Sequence, residues 1–151
     1  MASPIPPQVI RTIAWLGNGA LLPFVLLAIA SVVDKEQQDF WGQALYTYAA
    51  VTLAFVGALH WGFAMAIPDI PPTRRNAVLI WSVVPALVAW GALMLDGPEA
   101  GIVLVLGFVA HYWQDMRLHQ EGYLPPWYLP LRLQLTAVAC VCLGLTSYLL
   151  S

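Results

Sequence analysis

Five long runs of apolar residues, with nearly all the charged residues in the short segments between them, constrain this chain more than any other feature of its sequence. The runs cover about 12–33, 41–67, 76–95, 100–117 and 131–150. Each run reaches or approaches the ~20 residues that a helix needs to cross ~30 Å of hydrocarbon. In lipid, a single segment satisfies its own backbone hydrogen bonds only as a helix. The sequence therefore predicts an all-α integral membrane protein, a single domain built as a bundle of five transmembrane helices.

The composition supports this fold class and excludes one class of partner. Only 9% of the 151 residues are charged and 60% are hydrophobic, whereas soluble domains carry about a quarter charged residues. The six lysines and arginines are too few and too scattered to build a surface that follows a phosphate backbone. We expect the partners to be the lipid bilayer and other membrane-protein subunits, with no nucleic acid.

The basic residues predict the orientation of the bundle. With five spans, five of the six fall on one side of the membrane and only Lys35 falls on the other. Because short cytoplasmic segments are enriched in lysine and arginine, the N-terminus is predicted to be cytoplasmic and the C-terminus external. Aromatic residues at both predicted boundaries fit interfacial belts: Trp41 on the external side, and Trp113, Trp127, Tyr123 and Tyr128 on the cytoplasmic side.

Polar side chains within the spans are rare, and the topology brings them to one depth. Asn18 and His60 come from the first and second spans, at roughly 9 and 12 Å from the predicted cytoplasmic boundary at 1.5 Å per residue. The fourth span ends in HYWQDMRLHQ, where His111, Asp115 and His119 share one helix face at i, i+4 and i+8. Asp115 is predicted at the cytoplasmic interface and His119 beyond it. Intramembrane polar residues usually face the bundle interior or a water-filled cavity.

Three interpretations of this polar group stay open. It can be a cofactor site in which His60, His111, Asp115 and Asn18 bind haem, a metal or a quinone, with His111 and His119 as weak metal candidates. It can line a proton or substrate path. It can also consist only of hydrogen bonds that fix helix packing. The sequence contains no nucleophile–base pair, glycine-rich phosphate loop or carboxylate pair at a plausible site, so it favours no enzymatic activity.

A stripe of small residues follows the second span at intervals of four. Small side chains at this period let helix backbones approach closely in lipid. We predict that the stripe packs on a neighbouring helix or on a partner protein, and that His60 faces away from it. The stripe consists of Ala50, Ala54, Ala58, Gly62 and Ala66.

The second and fourth spans also contain similar segments, FVGALHW at 55–61 and FVAHYW at 108–113. Each follows a span that contains a tryptophan and a proline, as in a parallel repeat. The separations between that proline and the later histidine differ between the two halves, so the likeness does not establish a repeat.

Longer motifs resemble a known family. GALHWGFAM (57–65), SVVPALVAWGALML (82–95) and GYLPPWYLPLRLQLT (122–136) are similar to the membrane proteins of unknown function that include vertebrate transmembrane protein 69. The resemblance implies a multi-span protein of the bacterial inner membrane, and it implies no activity. Seven residues fall on the family's motif positions without an assigned role: His60, Trp61, Gly62, Trp127, Tyr128, Arg132 and Thr136.

The small size, short loops and small-residue stripe favour a non-catalytic accessory or assembly subunit of a larger membrane complex. A binder of haem, a metal or a quinone is the alternative, and a small transporter or proton path is the third.

Overall fold

The computed structural model describes residues 5–151, and its regular structure there is helical, with no β-strand. Consecutive helices are joined by short connections. The prediction of an all-helical membrane bundle is confirmed. The helices are α1 (Pro7–Gly19), α2 (Leu21–Val33), α3 (Gln38–Ala66), α4 (Pro72–Ala92), α5 (Pro98–Gln120) and α6 (Tyr128–Leu150).

The first predicted span differs from the prediction, because it begins at Pro7 and consists of two helices that meet at Ala20. Pro23 has no N–H to donate to the carbonyl of Gly19, four residues earlier, so the helical ladder is interrupted there. The hydroxyl of Tyr48 donates to the carbonyl of Ala20 at 2.8 Å. This bond fixes the junction of α1 and α2 against α3.

Four of the helical segments are long and apolar enough to cross a membrane: Pro7–Val33, Gln38–Ala66, Pro72–Ala92 and Tyr128–Leu150. The remaining helix, α5, has 23 residues, about 35 Å at 1.5 Å per residue. It is less apolar because its second half carries the polar residues discussed below. That α5 also crosses the membrane stays a prediction, as does the orientation of the termini.

The order of the helices places the connections at two ends of the bundle. The α3–α4 and α5–α6 connections share one end, where Arg74 Nε lies 2.7 Å from Glu121 Oε2. We call it the basic end, because Arg74, Arg75 and Arg117 lie there. At the opposite end, the hydroxyls of Ser31 and Thr146 lie 3.3 Å apart, so α2 and α6 meet there.

Buried apolar side chains form two clusters at different heights. The main core fills the half of the bundle away from the basic end, and its fully enclosed members include Phe24, Leu45, Leu53, Leu104, Phe108 and Leu143. The basic-end apolar layer is smaller and consists of Ala64, Val78, Leu118, Leu124 and Tyr128. A layer of polar residues lies between them.

Gly57 lets α3 and α4 pack closely near this layer. A Cβ added to Gly57 would lie 2.7 Å from Cβ of Pro85, which is inside α4. The absent side chain therefore lets the proline ring pack against the backbone of α3.

Candidate functional site

Two hydrogen bonds hold α3 and α5 in register. His60 Nε2 donates to Asp115 Oδ1 at 2.8 Å, and His111 Nε2 donates to the carbonyl of Val56 at 3.0 Å. Each bond joins two residues that are 55 positions apart in the sequence. The two bonds are separated by one helical turn on α3 and by one helical turn on α5. The two helices therefore run in the same direction, and the rings of His60 and His111 meet with centroids 4.7 Å apart.

The partners of His111 determine its tautomer. Trp81 Nε1 lies 3.0 Å from His111 Nδ1, and an indole N–H is only a donor, so Nδ1 accepts. Nε2 faces the carbonyl of Val56, which is only an acceptor, so Nε2 carries the proton. His111 is therefore held as a neutral imidazole by α3 and α4, with both ring nitrogens hydrogen-bonded and the side chain fully buried.

Asp115 joins α3 to α6. Its Oδ1 accepts from His60, and its Oδ2 accepts from Arg132 Nε at 2.8 Å. The side chain of Asp115 is 0% exposed and that of Arg132 is 4% exposed. An ion pair this deeply buried is costly to break, because either charge alone would be left without compensation in a medium of low dielectric.

Together these contacts form a polar layer, which we define as His60, Trp81, His111, Asp115 and Arg132. Its hydrogen bonds need only the neutral form of each histidine, so the single carboxylate and the single guanidinium balance each other. The layer links α3, α4, α5 and α6, and it has an apolar cluster on either side. This enclosure favours a helix-fixing network over a continuous polar path across the bundle.

Three members of the layer are residue types that bind metals. One ligand atom each of His60, His111 and Asp115 lies within 4.8 Å of the others. For a metal to bind, His111 would lose its bond to Trp81 or to Val56, and Asp115 would share its charge with Arg132. Nε2 of His60, both nitrogens of His111 and both oxygens of Asp115 are thus engaged in hydrogen bonds, and the arrangement favours these bonds over a metal ion.

Three buried polar side chains of α6 have groups without a partner among the described residues. They are Nη1 and Nη2 of Arg132, the hydroxyl of Thr136, and the hydroxyl of Tyr128, which makes no well-aligned hydrogen bond but lies close to both Arg132 and Asp115. The three residues are spaced at i, i+4 and i+8, so they share one face of α6. The unpaired groups therefore extend the polar layer along this face.

The structure brings together only part of the predicted polar group. His60, His111 and Asp115 meet, whereas Asn18 is exposed on α1 and lines a shallow surface groove with Arg11, Ala14 and Trp15. Asn18 therefore does not join the histidines. His119 lies in the last turn of α5, half-buried, and its Nδ1 has no partner among the described residues. Asp115 is completely buried inside the bundle, and its position at the depth of the membrane interface stays a prediction.

Sequence reasoning missed the contributions of Arg132, Trp81 and Tyr128. Arg132 contributed to the predicted orientation and was noted as a motif position without a role, although an arginine inside the fifth predicted span is itself a signal of a buried partner. Tyr128, predicted in an aromatic belt, is buried in the basic-end apolar layer with its ring 5.3 Å from that of Phe63. Nothing in the sequence singled out Trp81 as the donor to His111.

The small-residue stripe of α3 lies mostly on the outside of the bundle. Ala50 is buried and Ala54 is half-buried, but Ala58, Gly62 and Ala66 are exposed. A Cβ added to Gly62 would meet no atom within 4 Å. The exposed part of the stripe, Ala58, Gly62 and Ala66, therefore does not pack on another described helix of this chain. Its contact with a partner protein stays a prediction.

Comparisons with known proteins agree on a family. Residues 9–148 match the model of a family described as protein of unknown function, DUF3429. Transmembrane protein 69 of Xenopus tropicalis is 35% identical over 130 residues, covering 83% of this chain and 49% of that protein. Transmembrane protein 69 of Mus musculus is 27% identical over 162 positions, covering 96% of this chain and 63% of that protein. The chain thus spans half to three fifths of these relatives. No solved structure matches it.

Proposed function

The chain belongs to the DUF3429 family of membrane proteins, and we propose that it works as a non-catalytic accessory or assembly subunit of a larger complex in the bacterial inner membrane. The observation that carries this proposal is the outward part of the α3 stripe. Ala58, Gly62 and Ala66 present a narrow shelf of small residues on the outside of the bundle. Such a shelf lets a second helix approach closely, which strengthens packing between helices in lipid.

The polar layer supports a structural role for the interior. Its hydrogen bonds join four helices and include both nitrogens of His111 and both oxygens of Asp115. Bonds of this kind average under about 1 kcal/mol each in membranes, but they specify one arrangement of helices. A bundle fixed internally in this way keeps its outer surface in a constant shape for a partner.

Purification from native membranes in a mild detergent tests the role of the shelf. Ala58→Leu combined with Gly62→Leu fills the shelf, since Ala58 is exposed and a Cβ added to Gly62 meets no atom within 4 Å. Gly144→Leu is the matched control, because Gly144 also faces outwards, on α6, with no atom near its added Cβ. We expect a stoichiometric partner protein to co-purify with the unmodified chain and with Gly144→Leu, and to be lost from the double variant. A folded, purely monomeric protein without a stoichiometric partner would contradict the proposal.

We also propose that the basic end is cytoplasmic, with the C-terminus external. Arg11, Arg74, Arg75 and Arg117 lie at this end, and Arg132 lies in the first two turns of α6, which begins there. Lys35 follows α2 at the opposite end. The ion pair between Arg74 and Glu121 supports a shared end for the α3–α4 and α5–α6 connections. The rule that short cytoplasmic segments are rich in basic residues then gives the orientation.

A further inference from the structure

The outward face of α1 is polar, although α1 belongs to a segment that is long and apolar enough to cross a membrane. At about 100° per residue, its hydrogen-bonding side chains share one side of the helix, and all of them are exposed. On the opposite side, Ile10, Ile13 and Gly17 are half-buried, and Gly17 lies against Leu131 of α6. The outward face consists of Gln8, Arg11, Thr12, Trp15 and Asn18.

The length of this segment indicates the depth of that face. Pro7–Val33 has 27 residues, about 40 Å at 1.5 Å per residue, whereas the hydrocarbon is ~30 Å thick. Charged residues follow Val33 directly, so the excess length lies at the other end. Counted from Val33, Arg11 is about 33 Å away and Asn18 about 22 Å. The face therefore extends from the headgroup level into the first part of the hydrocarbon, in the leaflet at the basic end.

Three side chains of this face, those of Arg11, Trp15 and Asn18, line a shallow groove. They are spaced at i, i+4 and i+7, so they follow one another along the helix. The fourth lining residue, Ala14, adds only a methyl group. Because all four belong to α1, no other described helix covers the groove. The bond from Cα to Cβ tilts towards the N-terminus of a helix, which directs these side chains towards the headgroups.

The groove offers hydrogen-bond donors and one positive charge. Arg11 has no ion-pair partner among the described residues, and a guanidinium binds phosphate through two parallel hydrogen bonds. The indole N–H of Trp15 is only a donor, and the amide of Asn18 carries two N–H groups. A complementary ligand therefore has a phosphate at the level of Arg11 and neutral acceptor oxygens deeper in the membrane.

A phospholipid has both features in this order. Its phosphate lies at the membrane surface, and its ester carbonyls lie next to the hydrocarbon. A side-chain amide without a partner is costly in lipid, and the ester carbonyls supply acceptors for Asn18. A headgroup with a net negative charge is favoured over a zwitterionic one, because no acidic side chain of the described residues balances Arg11.

We propose that Arg11, Trp15 and Asn18 form a binding site for one anionic phospholipid of the leaflet at the basic end. The guanidinium of Arg11 holds the phosphate, and the indole of Trp15 and the amide of Asn18 donate to the ester carbonyls. The site lies on α1, apart from the polar layer and from the shelf on α3. It therefore does not depend on the proposed partner subunit.

Lipid binding by the purified full chain, stripped of bound lipid in detergent, tests the proposal. Native mass spectrometry counts bound lipids during titration with phosphatidylglycerol, or with phosphatidylcholine that has the same acyl chains. Arg11→Gln removes the charge, Trp15→Phe removes the indole N–H and Asn18→Leu removes the amide. Arg117→Gln and Trp113→Phe are the matched controls, because both residues are exposed on α5. Circular dichroism confirms that each variant is folded.

We expect the unmodified chain and both controls to bind one phosphatidylglycerol saturably, and to bind phosphatidylcholine about tenfold more weakly. Arg11→Gln should weaken binding of phosphatidylglycerol about tenfold. Trp15→Phe and Asn18→Leu should each weaken it about threefold to tenfold, because a neutral hydrogen bond contributes less than a charged one.

Four results would overturn the proposal. They are equal binding of the two lipids, unchanged binding by Arg11→Gln, unchanged binding by both Trp15→Phe and Asn18→Leu, and displacement of the lipid by inorganic phosphate, which would indicate a site for a free anion. A protein that co-purifies with the unmodified chain and is lost from Asn18→Leu, while lipid binding is unchanged, would assign the groove to a partner helix instead.

Discussion

His60 Nε2 lies 2.8 Å from Asp115 Oδ1, and this bond joins α3 to α5 at the level where Arg132 approaches from α6. The carboxylate of Asp115 thus has two partners from two different helices. One partner compensates its charge, and the other fixes its direction. The centre of the bundle therefore depends on a single aspartate, which makes the strength of its contacts the first property to measure.

Asp115→Asn should destabilise the bundle strongly, because it leaves the buried guanidinium of Arg132 without a counter-charge. Breaking one side of a buried ion pair costs about 3–5 kcal/mol. The measurement is thermal or denaturant unfolding in detergent. Glu121→Gln is the control, since its ion pair with Arg74 is partly exposed and such pairs contribute about 1 kcal/mol or less.

A double replacement separates charge from shape at the same place. Asp115→Leu together with Arg132→Met removes both charges, so no isolated charge remains buried. Replacing a buried pair with apolar residues of similar volume is often neutral for stability. We expect the double variant to be more stable than either single variant. A double variant as unstable as the sum of the two single ones would contradict the role assigned to charge compensation.

Trp81→Phe should remove the donor to His111 Nδ1 and leave that nitrogen unpaired inside the bundle. The expected loss of stability is about 1–3 kcal/mol, the cost of a buried group that loses its partner. Trp113→Phe is the matched control on α5, because Trp113 is exposed and not part of the polar layer. Nitrogen-15 spectra of labelled histidine add a second readout, since they should show the proton of His111 on Nε2 in the unmodified chain. A proton on Nδ1 would contradict the hydrogen-bond assignment.

The fold was predictable from the sequence to a greater extent than the site. Apolar runs of membrane-spanning length are a local property, so the helices appear in the sequence almost with their boundaries. The break at Ala20 is the exception, because it depends on the missing N–H of Pro23 and on the contact with Tyr48. The direction of each helix follows from the order of the helices along the chain. The expectation that His60 and His111 lie at one depth was therefore correct.

Which polar residues turn inwards depends on rotation of each helix about its axis, and the sequence gives this only weakly. Asn18 and His60 have similar predicted depths, yet Asn18 lies on the outside of α1 and His60 is enclosed. No residue of α1 is fully buried, so few contacts determine which of its faces turns towards the bundle. The role of Arg132 could not be predicted for a different reason. Its position near the start of α6 fits an ordinary interfacial arginine equally well.

Gly57 and Gly62 provide a matched test of which face of α3 is inside. Gly57→Ala should destabilise the bundle by about 1–3 kcal/mol, the usual cost of overpacking, because the added Cβ would lie 2.7 Å from the ring of Pro85. Gly62→Ala should be neutral or stabilising, since alanine favours the helix and the added Cβ meets nothing within 4 Å. Unfolding of the two variants under one condition measures the difference. Equal effects would mean that α3 is rotated differently in the membrane.

The orientation of the bundle can be tested at its C-terminal end. A reporter that is active only outside the cytoplasm, such as alkaline phosphatase, should be active when it is fused after Ser151. Green fluorescent protein at the same place should not fluoresce when it is exported unfolded.

Exchanging the charge bias, with Arg74→Glu and Arg75→Glu combined with Glu36→Lys and Asp39→Lys, should weaken or reverse this result, because lysine and arginine near the spans set orientation. Glu36 and Asp39 lie beside Lys35 at the end opposite Arg74 and Arg75. A fluorescent, phosphatase-inactive fusion of the unmodified chain would place the C-terminus in the cytoplasm and overturn the proposed orientation.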